Sequence, residues 1–199
     1  MMIWNNLAEK YDHLWVQKYS LLPTREQVMR RLDGLLPGSL IDIGCGTGQL
    51  LRQIAQVYPG IDLTGIDKAQ EMIRKCREKN IPGEFICGDI GELDQLTQKF
   101  DVAICCHYFP YYEDKSKIID KVHGMLNESG RAIFVQASQN SLYDQIALWL
   151  VERTAEKAEY LSRDEFCRLF ENRFVIEERF TIRERWFMPS ICGFVMRRI

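Results

Sequence analysis

The sequence predicts an α/β domain of the doubly wound kind, built on a mostly parallel sheet. Three observations carry that expectation. Short, near-continuously apolar, β-branched runs alternate with longer amphipathic stretches. One such run stops in a glycine-rich break at the head of a helix. The last two apolar runs follow one another with no helix between them. Runs that are apolar throughout suit strands buried on both faces, and their alternation with helices suits βαβ units.

The elements follow in chain order. "SLIDIG", "IDLTGID", "GEFICGD", "FDVAICC" and "GRAIFVQAS" read as five strands. A helix beginning at Thr47 turns Leu50, Leu51, Ile54 and Val57 to one side, and another runs from Ala69 with Met72, Ile73 and Cys76. A third, "DKSKIIDKVHGML", repeats Ile118, Ile119, Val122, Met125 and Leu126. Ahead of these, Trp4, Leu7, Ala8, Tyr11 and Trp15 share a face at helical spacing. A second helix is expected from Thr24, with Thr24 and Gln27 as a capping box. After the fifth strand, "NSLYDQIALWLVERTAEKAEYLSRDEF" reads as two helices. "RFVIEERFTIRERW" and "SICGFVMRRI" then read as an antiparallel hairpin that brings the sheet to seven strands. The expected organisation is a single domain over 1–199, with a helical lid at 1–36, a core at 37–137, cap helices at 138–172 and closing strands at 173–199.

Composition narrows the partners. The 199 residues are 46% hydrophobic and 27% charged with a formal net charge of −2, so no bulk positive field exists to hold nucleic acid or an anionic membrane. Residues 161–199 hold eight arginines against six acids, too interleaved for a nucleic-acid face. The seven cysteines form no C-x-x-C pair, which suits a reduced, cytoplasmic protein. "MMIWNNLAEKYDHLW" lacks the apolar centre of a signal peptide, and no stretch approaches the roughly 18 apolar residues of a membrane span.

Right-handed crossovers place the C-terminal ends of parallel strands along one edge, where open α/β sheets bind ligands. Asp42 to Gly48, Asp67, Asp89 and Cys105 to Tyr111 converge there. In "LIDIGCGTGQ" the glycines fall at 44, 46 and 48, while position 49, which a G-x-G-x-x-G fingerprint needs as glycine, is Gln49. No G-K-[ST] follows, so the loop is no P-loop either. Asp42 stands two residues before the first glycine, where a carboxylate repels pyrophosphate and suits a cationic group. Asp67 ends the next strand, at the place where this architecture hydrogen-bonds a ribose diol. Asp89 ends the strand after that and can accept from an exocyclic amine. An ammonium, a ribose diol and an adenine amine without a phosphate describe S-adenosyl-L-methionine.

"LIDIGCGTG", "LTGID", "CGDI" and "FDVAICC" resemble, in order and spacing, the successive motifs of class I S-adenosylmethionine-dependent methyltransferases. The resemblance covers residues 1–137 and the closing strand pair, and is nearest to the small-molecule branch, through Tyr11-Asp12 and the stretch from Met125 to Gly130. It implies a Rossmann-like fold whose cofactor-binding residues here are Tyr11, Asp42, Gly44, Cys45, Gly46, Asp67, Lys68, Met72, Asp89, Ile90 and Cys105. Gly44, Cys45 and Gly46 would lie against the methionine part with Asp42 behind them, and Asp67 would take the ribose. Lys68 and Met72 would flank the adenine, whose edge Asp89 and Ile90 would read. Cys105 would offer its backbone, and Tyr11 would close over the carboxylate. Gly48 is assigned to close contact between helix and sheet.

"CHYFPYY", which follows the fourth strand, should line the acceptor pocket. His107 is the candidate base if the acceptor carries a proton, with Tyr111 as a second catalytic candidate. No [DN]-P-P-[FYW] motif of amino-methylating nucleic-acid enzymes stands here. The acceptor is therefore expected to be a small, partly hydrophobic molecule, with no nucleic acid, membrane or metal involved and the oligomeric state unspecified. Two alternatives stay open: a non-catalytic S-adenosylmethionine binder, and an NAD-dependent oxidoreductase.

Overall fold

The computed structural model describes residues 2–93, 96–152, 158–183, 185 and 188–199. Seven strands, β1 (Ser39–Ile43), β2 (Asp62–Asp67), β3 (Glu84–Cys87), β4 (Phe100–Cys106), β5 (Leu126–Ala137), β6 (Phe174–Ile182) and β7 (Ile191–Arg198), form one sheet in the order β3-β2-β1-β4-β5-β7-β6. The first five pair in parallel, and β7 runs antiparallel to both β5 and β6. Strand order reverses between β1 and β4, which opens a crevice at their C-terminal ends. The Rossmann-like expectation, with its antiparallel closing pair, is therefore met. Inserting β7 between β5 and β6 also departs from the 3-2-1-4-5-6 order of the dinucleotide-binding fold.

Helices α1 (Met2–Leu7), α2 (Leu22–Leu35), α3 (Gln49–Val57), α4 (Gln70–Glu78), α5 (Lys115–Met125), α6 (Leu142–Glu152) and α7 (Arg163–Phe170) surround the sheet. One apolar cluster joins Val28 and Leu32 of α2 and Leu51 and Ile54 of α3 to Leu40, Ile104 and Ile133 of the sheet. The other joins Ile118 and Val122 of α5 and Phe166 and Phe170 of α7 to Phe134 and Phe194. Within it the rings of Phe166 and Phe170 stack at 4.2 Å, as do those of Phe166 and Phe194. So α7, expected as a cap helix, packs against the sheet, while α6, the other expected cap helix, lines the crevice.

The N-terminal segment differs from the expected amphipathic helix. It breaks after Leu7 into a 3-10 turn at Tyr11–His13 and a π-turn at Gln17–Leu21. Trp4 and Tyr11 do meet, edge to face at 6.3 Å, but Trp15 is 65% exposed and off that face. The expected capping box at Thr24 is absent. The second helix begins at Leu22 with Pro23 in its first turn, and Thr24 is buried with its hydroxyl on His107. Proline needs no N–H partner in a first turn, so this helix starts without a side-chain cap.

Candidate active site

The turn after β1 is held from two sides. The backbone N–H groups of Gly44 and Cys45 both donate to the Ile66 carbonyl, at 2.8 and 3.0 Å. Gly46 N–H donates to Asp67 Oδ2 at 2.9 Å, while Asp67 Oδ1 accepts from Ala69 N–H at 2.8 Å. The carboxylate ending β2 thus ties the glycine turn to the start of α4 and retains lone pairs on both oxygens. Burial raises the Asp67 pKa, offset in part by those two backbone bonds. Gly44 has φ +77°, and a Cβ there would fall 2.4 Å from Tyr108 Cγ. At Gly48, φ +75°, a Cβ would fall 2.7 Å from Ile81 Cδ1 and 2.9 Å from Cys76 Sγ. The first glycine lets an aromatic ring approach the turn, and the third lets α4 and its following loop close on α3.

Above this floor lies a cavity of about 690 Å³. Trp4, Tyr11 and Trp15 line it from the N-terminal segment, His107, Tyr108 and Tyr111 from the loop after β4, and Tyr143, Ile146 and Leu150 from α6. A smaller cavity of about 60 Å³ sits between α2 and the turn, bounded by Arg25, Asp42, Cys45 and Thr47. Tyr11, Gly44, Gly46 and His107 border both.

The site residues expected from the sequence distribute unevenly over these spaces. Tyr11, Gly44, Gly46, Asp67, Lys68, Met72, His107 and Tyr111 line the larger cavity, and Asp42 and Cys45 line the smaller. Asp89, Ile90 and Cys105 line neither. Asp89 is ion-paired with Lys68 at 2.5 Å and accepts from Gly91 N–H at 2.8 Å, while Ile90 and Cys105 lie in the core.

Three electrostatic features set the chemistry. Asp42 is buried, and burial, reinforced by Asp67, pushes its pKa up to about 7. His107 sits in left-handed backbone, φ +58°, with its N–H on the Val135 carbonyl at 2.7 Å. Its Nε2 and Thr24 Oγ1 lie 2.8 Å apart, and burial pulls the imidazole pKa down to about 4. A neutral imidazole of that pKa holds a hydrogen bond well and is a weak proton acceptor near neutrality. The Tyr108, Tyr111 and Tyr112 phenols are all raised, primarily by burial, and stay protonated.

Sequence reasoning missed Arg25. Its Nη1 donates to Gln17 Oε1 at 3.0 Å, and its buried Nε has no hydrogen-bond partner among the described residues. The signal was present: Arg25, Val28 and Leu32 share a helical face at i, i+3, i+7, and the latter two are fully buried. Also missed was the seat of Tyr11. The neighbouring Asp12 accepts from Thr47 Oγ1 at 2.5 Å and from Lys79 Nζ at 2.7 Å, and the same ammonium donates to the Thr47 carbonyl at 2.7 Å. Against its own burial, these partners hold the Asp12 carboxyl below the ordinary range. Tyr11 is thereby fastened directly over the glycine turn.

Comparison with known proteins follows the same lines. The chain is 25% identical over 138 residues to the demethylmenaquinone methyltransferase of Thermotoga maritima, covering 68% of this chain and 60% of that one. It is 31% identical over 146 residues to the malonyl-[acyl-carrier protein] O-methyltransferase of Bacillus anthracis, covering 70% and 53%. The chain spans between 38% and 61% of the length of such curated relatives. The crystal structure of magnesium protoporphyrin IX methyltransferase from Synechocystis PCC 6803, with S-adenosylhomocysteine bound, superposes with a TM-score of 0.73 at 22% identity, over 94% of this chain and 88% of that one. A family model described as a methyltransferase domain matches residues 38–174. The chain belongs to that methyltransferase domain family.

Proposed function

We propose that the chain is an S-adenosylmethionine-dependent methyltransferase of a small, largely apolar acceptor. The observation that carries this reading is the charge around the glycine turn. Two buried carboxylates, Asp42 and Asp67, flank it, and the lysine lining the larger cavity, Lys68, is tied to Asp89. A pyrophosphate would need free cations or a bare helix start there. A diol and an ammonium need acceptors, which this turn has.

When bound, S-adenosylmethionine supplies a methyl group on a cationic sulfonium. The residues fit it as follows. Asp67 offers its remaining lone pairs to the ribose hydroxyls. The smaller cavity pairs an anion, Asp42, with a cation, Arg25, whose Nε has no partner among the described residues, and so complements an α-ammonium and an α-carboxylate. Gly44, Cys45 and Gly46 provide bare backbone beside it. Lys68 and Met72 bound the adenine side, where the ion pair with Asp89 holds Lys68, while Ile90 and Cys105 lie in the core. Trp4, Tyr11, Tyr108 and Tyr111 exclude water, and their ring faces tolerate positive charge. His107, held by Thr24, orients the acceptor through a hydrogen bond. Transfer then depends mainly on alignment in a dry pocket.

The relatives are named for acceptors as different as demethylmenaquinone and malonyl-[acyl-carrier protein], so the acceptor is read from the cavity itself. Among the described residues no helix is long and apolar enough to cross a membrane. The seven cysteines are all unpaired, which supports a reducing, cytoplasmic setting. The near-neutral charge favours no nucleic-acid partner.

Isothermal titration with S-adenosylmethionine, S-adenosylhomocysteine and NADH tests the reading. Micromolar binding of the two sulfur ligands is expected, with a loss of at least a hundredfold in Asp67→Ala and no response to NADH. Binding of NADH without binding of either sulfur ligand overturns it. Turnover of any acceptor in the presence of S-adenosylmethionine separates an enzyme from a silent binder.

A further inference from the structure

The cavity over the glycine turn does not end at its mouth. Three of the side chains that line it are also among the most exposed apolar groups of the molecule: Trp15 at 65%, Ile146 at 61% and Leu150 at 54%. They stand on two separate elements, Trp15 on the N-terminal segment and the other two on α6. Each lip of the mouth is therefore apolar on its inner and outer surface. On α6 the apolar surface continues outward through Leu142, 78% exposed and one turn before Ile146. The single acid of that helix up to Leu150, Asp144, is buried and turned away, accepting from Ser190 N–H and Ser190 Oγ, both at 2.8 Å. Helix α6 is thus fixed to the body on its polar side and offers apolar side chains along the way out.

Charge at the floor limits what enters. Lys68 and Asp67 are the charged lysine, arginine or carboxylate side chains among the described lining residues, and neither is free for an acceptor. Lys68 is paired with Asp89, and Asp67 holds the turn. The groups left at the inner end, His107 and the Tyr108 and Tyr111 phenols, are neutral hydrogen-bonding groups. A carboxylate or phosphate ester on the acceptor's head would be desolvated there with no cation from the described lining residues free to pair with it.

Resting on the methyltransferase reading, we propose that the acceptor is a neutral amphiphile: a protic head, such as a phenol or enol, beside His107, and a long hydrocarbon tail that leaves between Trp15 and the Ile146–Leu150 face of α6. The continuity of the lining with the exposed lips is the argument for a tail of the substrate as the occupant. A separate partner would need an apolar face beside the cavity, whereas here the same side chains form the wall and the exit. Exposed apolar side chains that continue the lining of a cavity mark a ligand-binding groove.

The test is calorimetry with the S-adenosylhomocysteine-saturated protein and a series of 4-n-alkylphenols from ethyl to octyl, with octanoate as the charged comparison. Affinity is expected to rise about fourfold per methylene, with octanoate binding at least thirtyfold more weakly than 4-n-octylphenol. In Ile146→Asp and Leu150→Asp the chain-length dependence flattens beyond butyl, while S-adenosylhomocysteine affinity stays unchanged. A series that is flat in the unaltered protein overturns the proposal and leaves the cofactor reading intact. So does equal binding of octanoate, or pelleting with phosphatidylcholine vesicles that Ile146→Asp abolishes, which would assign the lips to a lipid surface. Failure to bind S-adenosylhomocysteine in the first place sinks the underlying reading and the proposal with it.

Discussion

The two regions that make the site are joined to the protein in opposite ways. Beneath the crevice, α5 and α7 bury a cluster of phenylalanines against β5 and β7, with Phe109, Phe134, Phe166, Phe170 and Phe194 almost without solvent contact. Above it, Ala8 is the one buried apolar residue among the described side chains of the segment from α1 through Leu21, packed with the partly buried Trp4 and Tyr11 against Ala69 and Met72. Polar contacts do the rest: Glu9 with Arg74 at 2.6 Å and Lys75 at 2.7 Å, Asn5 Oδ1 with Glu71 N–H at 3.1 Å, and Asp12 with Thr47 and Lys79. The first region is close-packed and held by apolar contacts. The second is held at its edges by solvent-exposed ion pairs, the kind of contact that contributes least to stability. The glycine turn, the floor of the site, is held by β2 through the Ile66 carbonyl and Asp67 and packs through Cys45 on the α2–α3 side of the sheet, whereas Tyr11, in the cover, belongs to the second region.

Substitutions can break that contrast in order of size. Phe166→Ala should destabilise the fold by about 3–5 kcal/mol, through a cavity between two stacked rings, as read by urea denaturation. An effect below 1 kcal/mol would mean that the aromatic layer is loosely built. Asp12→Ala should weaken S-adenosylhomocysteine binding by ten- to thirtyfold with little change in the denaturation midpoint, because it frees the cover and leaves the floor. If the midpoint falls as far as in Phe166→Ala, the segment belongs to the core and the contrast is wrong.

A pH series sharpens the picture at the floor itself. Asp42 has a folded pKa near 7 against an ordinary 3.8, so between those values the folded protein binds more protons than the unfolded one. Stability from this group is present below about pH 4 and is lost as pH rises through 7. An ammonium needs the carboxylate, so S-adenosylhomocysteine affinity should rise about tenfold from pH 6 to 8, and stay flat in Asp42→Asn. His107 acts in the opposite sense: its folded pKa near 4 lies below the ordinary 6.5, so its contribution is present above 6.5 and lost as pH falls through 4. In Asp42→Asn, stability measured by urea titration should therefore climb with pH from 4 to 6.5. The smallest effect is expected of Glu9→Gln, on the solvated edge of the cover, with binding within about twofold of the parent and the denaturation midpoint unchanged.

Much of the architecture was legible because burial on both sides leaves a plain record. "FDVAICC" and "GRAIFVQAS" have no polar face to hide, and β4 and β5 pair through residues of both. The glycine turn was legible because positive φ is required there, and Asp67 because a lone carboxylate ends an apolar strand. What escaped notice depends on tertiary contacts. Thr24 has the local spacing of a cap, yet its hydroxyl is taken by His107, 83 residues away in sequence. Arg25 reads as a solvated helix residue until Gln17 and the turn enclose it. The stripe from Trp4 to Trp15 has helical periodicity but insufficient sheet surface to bury it, so the segment breaks where Asp12 finds Thr47 and Lys79.

The place of β7 has a consequence for how this chain is made. β5 is complete at Ala137, but its neighbour on the far side begins only at Ile191, after β6 has already been synthesised. At about 5–20 residues per second, a ribosome leaves the open edge of β5 waiting for several seconds. During that time β6 is the nearer strand and its pairing with β5 would be a trap, since β7 could then join only at the outside. The arginines and glutamates of β6, Glu177, Glu178 and Arg179, make it a poor match for a doubly buried position. The apolar "ICGFV" of β7 is a good one. Charge in the middle of one strand and an apolar middle in the other thus favour β7 over β6 as the neighbour of β5.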